Sequence, residues 1–186
     1  MSRIEGLMQS YDDTVRQPWP RSLAGAEKVW FAIYDPAHER RLLFRLHEFE
    51  TITSKAGHGW QHLDIAPLFA QWMGAQKYRE AYFEDPEAMD LALPTFCTAV
   101  ADRIRETLRS PDTGDDTVTA ISGVGSLFGL VRVANVIEQV TPDIVGRLLV
   151  FFPGRYENSR YRLLDARDGW NYLAVPITAE SGEDKP

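Results

Sequence analysis

Five short runs rich in apolar, β-branched and aromatic residues recur along the chain, each parted from the next by a longer stretch. The runs are Lys28–Tyr34, Trp60–Ile65, Thr117–Ser122, Arg147–Phe152 and Tyr172–Ile177, and their composition and length read as strands. Most of the stretches between them carry helical spacing. Residues His38 to Lys55 place Leu42, Leu46, Phe49 and Ile52 on one face, and Gly57 follows as a stop. Pro67–Ala75 suits a helix opened by proline. "QKYREAYFEDP" suggests a second short helix. Glu87–Leu108 aligns Phe96, Val100, Ile104 and Leu108, with Pro94 starting or kinking that helix. Leu127–Val140 reads as a further helix, and Ile4–Val15 as an opening one ended by "RQPWP".

Strands joined through helices need crossover connections, and crossovers give a mostly parallel sheet covered on both faces. The expectation is therefore one α/β domain over residues 1–178, with about five strands flanked by helices. "TAESGEDKP" reads as a solvated tail, so residues 179–186 are set apart from the domain.

Composition narrows the function classes. A formal charge of −7 argues against a general nucleic-acid coat, which needs a basic face. Cys97 is the single cysteine, so an intrachain disulfide and a multi-cysteine zinc site are excluded. No apolar run approaches about 18 residues, and no charged-then-apolar leader is evident, which points to a cytoplasmic protein without a membrane span.

The motif that invites a nucleotide is "DDTVTAISGVGSLFGLVRVANVIEQV", a β-branched run entering a glycine turn before a helix. A working phosphate loop also needs a Gly-Lys-Ser/Thr, which the chain lacks. Gly123, Gly125 and Gly129 miss the dinucleotide spacing by one residue. Tight helix–sheet packing explains the glycines as they stand, with Ser126 as a cap. The alternative keeps Asp35, Gly123, Gly125 and Ser126 as a ligand set, because Asp35 and Asp64 fall at strand ends where open α/β sheets bind.

Other chemistry fails on spacing. His58 and His62 are four apart on a strand pattern, so they lie roughly 13 Å from each other, and no metal or cofactor is expected. Cys97 sits beside Phe96 and Val100 as a buried apolar residue. Ser126 follows a glycine pair and does not stand in a G-x-S-x-G elbow. No catalytic set emerges.

The segment Phe151–Ile177 is unusual for mixing rings with arginines. Arg155, Tyr156, Arg160, Arg162, Arg167 and Trp170 form a candidate partner-binding set, since such residues dominate interface hot spots. Glu157, Asp165 and Asp168 lie among them and could pair internally. Bases stacking on these rings give a third reading, an accessory nucleic-acid surface.

The blocks "VWFAIYDPAHERRL", "AGHGWQHLD", "GVGSLFGLVRVANVIE" and "GRLLVFFPGRYENSRYRLLDARDGWNYLAVPI" resemble BrxB proteins, small components of bacterial BREX phage-defence systems. The similarity runs from near Trp19 to Ile177. It implies a part in defence against bacteriophage, within a system that pairs a DNA methyltransferase with a large ATPase and a phosphatase-like protein of the PglZ type. It also implies a sheet resembling that of P-loop ATPases with the phosphate loop lost. No catalytic residues carry over. The resemblance therefore implies a non-enzymatic subunit whose partners are other BREX proteins, the PglZ-type member first among them. Self-association stays open, and a degenerate nucleotide sensor and a nucleic-acid accessory subunit stand as alternatives.

Overall fold

The computed structural model describes residues 3–166 and 169–179. Its strands are β1 (Val29–Tyr34), β2 (Gly59–Asp64), β3 (Thr117–Ser122), β4 (Arg147–Glu157), β5 (Arg160–Leu163) and β6 (Val175–Thr178). Its α-helices are α1 (Arg3–Val15), α2 (Glu39–Phe44), α3 (Leu46–Lys55), α4 (Leu68–Gly74), α5 (Arg79–Glu84), α6 (Leu93–Leu108) and α7 (Val133–Val140). Five strands run parallel in the order β2-β3-β4-β1-β6, and β5 pairs antiparallel with the outer half of β4. This is the mostly parallel α/β sheet that the strand–helix alternation predicts.

Burial on both faces explains why β1 and β3 read as unbroken runs without in–out alternation. Along β1, Val29, Phe31 and Ile33 join the core under α6 and α7, while Trp30, Ala32 and Tyr34 join the core under α1 and α3. The N-terminal strap is pinned by Arg147, whose buried guanidinium lies 4.9 Å from the Trp19 ring centroid and donates to the Pro20 carbonyl.

Five expectations need correction. The helix foreseen over His38–Lys55 breaks at Arg45, which takes a non-helical conformation while its guanidinium holds Glu48 and Glu5. The helix foreseen from Leu127 starts only at Val133, because Gly129 adopts φ +76° and Arg132 is extended. β4 does not stop at Phe152. Its pairing with β3 ends at Val150 and its pairing with β5 begins at Gly154, so Pro153 sits where a missing N–H removes no bond to either. The segment after it, where the sequence marks no strand, is a hairpin turned by Asn158 and Ser159 at φ +52° and +60°. The last strand begins at Val175, three residues later than foreseen.

One ion-pair cluster ties the end of α6 to the turn before β4. Asp143, in the turn before β4, accepts from Arg105 Nε of α6 at 2.8 Å and from Nε of Arg109, the residue that caps the end of α6, at 2.9 Å. These donors, Arg105 first, hold its carboxyl below the usual carboxylate range. A depressed carboxylate stabilises the fold above its unfolded pKa, and that stability is lost as pH falls through the folded value. Asp143→Asn is expected to lower stability by about 1–2 kcal/mol at pH 7, discounted for the exposed Arg109. Urea melts should show the difference from the parent shrinking below about pH 4.

Candidate functional site

In an open parallel sheet the ligand crevice lies at the carboxyl ends of neighbouring strands whose chains leave in opposite directions. Here those strands are β1 and β4. The chain leaves β1 through α2 and α3, on the α1 face, toward β2; it leaves β4 through β5, on the other face, toward β6. A cleft of about 530 Å³ opens at this point. Its lining includes Arg3 and Ile4 of α1, Ile33 to Pro36, His38, Gly154 to Glu157, and Thr178.

Asp35 directly follows β1 and sits in this cleft. One carboxylate oxygen accepts from the Ala37 N–H at 2.9 Å, capping the turn Pro36–His38, and the other lies 3.7 Å from an Arg3 guanidinium nitrogen. Tyr34 donates its hydroxyl to Glu39, and burial first, then that carboxylate, pushes the phenol far up. His38 lines the same cleft, and its Nδ1 is buried with no partner among the described residues.

The glycine turn lies elsewhere. Gly123 takes φ +83° at the end of β3, where a Cβ would sit 2.5 Å from Asp64 Oδ1 and 2.6 Å from the Ala66 nitrogen. The Ser126 N–H and hydroxyl both donate to the Gly123 carbonyl, at 3.0 and 2.7 Å, closing a tight turn. Gly125 packs toward Pro153. Asp35 is thus separated from Gly123, Gly125 and Ser126 by β4, and the four do not share a cleft.

The ring-and-arginine segment divides in two. Strand alternation sends Tyr156 and Tyr161 to the inner face of the hairpin, with ring centroids 4.7 Å apart. Tyr161 is fully buried, and half-buried Trp170 packs edge-on to Phe31 and Phe152 and tilted against Tyr161. Arg155, Arg160 and Arg162 take the outer face with Glu157, Arg155 directly opposite Arg162 and Glu157 opposite Arg160. All three arginines are exposed, and among the described residues none has a carboxylate within ion-pair distance. Arg167 lies outside the described residues.

A third feature escapes sequence reasoning. Neither α5 nor the turn Pro86–Leu91 buries a single residue, yet Tyr78, Phe83 and Leu91 are 60%, 68% and 91% exposed. Exposed Glu80, Glu84, Asp85, Glu87 and Asp90 are interspersed with them in the sequence. The signal was legible as "QKYREAYFEDP", in which aromatics and acids mix without an apolar stripe.

His58, His62 and Cys97 are each engaged by a neighbour. His58 stacks on Trp19, His62 Nε2 meets Ser122 Oγ at 2.9 Å, and Gln139 Nε2 donates to Cys97 Sγ, whose pKa burial raises. Among the described residues no three His, Cys, Asp or Glu side chains converge to hold a metal, and no helix is long and apolar enough to cross a membrane.

The class defined so far is an open parallel α/β domain with a crevice at its strand ends, an arginine hairpin beside it and an exposed acidic limb. Residues 71–177, more than half of the chain, match the family model for BREX protein BrxB, and the chain belongs to that family. Membership makes it a component of a BREX phage-defence system, with other BREX proteins as partners. No curated protein and no solved structure matches it.

Proposed function

We propose that this chain is a non-enzymatic assembly subunit that docks onto another BREX component, the PglZ-type phosphatase-like protein first. The observation that carries this reading is the limb from Tyr78 to Leu91. A segment with no fully buried residue, offering three large apolar side chains to water, is the pattern of a surface covered by a partner. The five exposed acids of this limb suit a basic partner surface and speak against nucleic acid there. The arginine hairpin supplies a second, oppositely charged surface.

Co-expression of the tagged chain with the proteins of its BREX system, followed by affinity capture and size-exclusion chromatography, tests the reading. A stoichiometric complex with the PglZ-type protein is the expected result. A chain that elutes alone, with every BREX component present and folded, would overturn it.

A further inference from the structure

The strand-end cleft does not stop at β1. It shares Arg155 and Glu157 with a second hollow of about 150 Å³ lined also by Asn158, Arg160 and Arg162. We infer that the two together form a binding site for a nucleoside phosphate, with the phosphates on the hairpin arginines and the nucleoside in the cleft. This reading is independent of the docking role.

Three observations converge on it. First, Arg155 and Arg162 are paired directly across the hairpin, an arrangement of like charges that is unfavourable without an anion between them. Three guanidiniums stand against the single carboxylate of Glu157 on that face, in a chain whose net charge is −7. Guanidinium forks match phosphate oxygens in pairs. Second, the cleft has the size of a small-molecule site and lies at the place where open α/β sheets hold ligands. Ile4 and Ile33 give it apolar wall, and Asp35 and Thr178 give it polar groups. Third, His38 lines the cleft beside Asp35 and offers a partly exposed imidazole ring for a nucleoside to pack against. Arg3 and Asp35 already pair with each other at the cleft wall, so the excess positive charge comes from the hairpin.

The glycine turn at Gly123 takes no part, which separates this site from any relic of a phosphate loop.

The test is thermal melting and calorimetry on the isolated protein with ATP, GTP, inorganic pyrophosphate and a short single-stranded oligonucleotide, at low salt. A nucleotide at a hundredfold excess over its Kd should raise the Tm by about 5 °C or more. Arg155→Ala and Arg162→Ala should each weaken it at least tenfold and weaken pyrophosphate in parallel. His38→Ala should weaken the nucleotide and leave pyrophosphate unchanged, while Arg103→Ala, on α6, changes neither. Pyrophosphate binding as tightly as ATP and GTP, with His38→Ala silent, would overturn the nucleoside assignment. So would an oligonucleotide that binds far more tightly than any mononucleotide, or no nucleotide response at 10 mM, on the order of the weakest useful affinity.

Discussion

Phe83→Ala combined with Leu91→Ala is expected to abolish co-purification with the BREX partner while the Tm of the isolated chain stays within about 3 °C of the parent. Both side chains are largely in water, so their removal from the free protein leaves no cavity and changes stability by about 0.5 kcal/mol each at most. In a complex the balance reverses. An exposed aromatic and an exposed leucine are natural anchors for a partner pocket, and hot-spot truncations cost about 2 kcal/mol or more each. Two of them together reduce affinity by roughly three orders of magnitude. Charge reversal at Glu84 and Glu87 should act differently, slowing association and flattening its salt dependence with a smaller change in dissociation rate. Chromatography of the double variant with the full set of BREX proteins reads the first effect. An intact complex would move the interface off this limb.

The parallel sheet was legible because buried strands advertise themselves. "VWFAIY" and "TVTAIS" have no polar face, and β1 and β3 fall within one residue of where composition puts them. The hairpin was not legible, for two reasons. Its turn residues are Asn-Ser, which carry a weaker signal for two positive φ angles than Asn-Gly does. Its strand also runs through Pro153, which local rules read as a stop. The break at Arg45 is a tertiary effect, since that guanidinium reaches Glu5 on α1, forty residues away.

Site residues divide along the same line. Asp35 was within reach because strand ends are predictable once strands are. His38 and Arg3 were not, because nothing local says that α1 passes over the end of β1. The ring-and-arginine segment was recognisable as a composition, but only the hairpin decides which side chains point inward. Period-two alternation places Tyr156 and Tyr161 under the sheet and Arg155, Arg160 and Arg162 above it. Tyr161 is thus core, with half-buried Tyr156 and Trp170 packed against it, the arginines face outward, and the more exposed aromatics Tyr78 and Phe83 lie on the acidic limb.

Tyr161→Ala tests that division with a large stability effect. The ring is fully buried, stands 4.6 Å from Phe31 and 5.4 Å from Trp170 by ring centroids, and its hydroxyl donates to the Ala174 carbonyl at 2.6 Å. That bond joins the hairpin to the segment leading into β6, the sheet's far edge. Truncation removes the ring and opens a cavity, which for large aromatics costs about 3–5 kcal/mol. For a domain of this size the Tm should fall by roughly 10 °C. Tyr161→Phe keeps the ring and leaves the Ala174 carbonyl without its donor, so it should cost about 1–3 kcal/mol. The ordering alanine, then phenylalanine, then parent in chemical denaturation is the expected result. A Tyr161→Ala protein as stable as the parent would mean that the hairpin is an appendage, not part of the core.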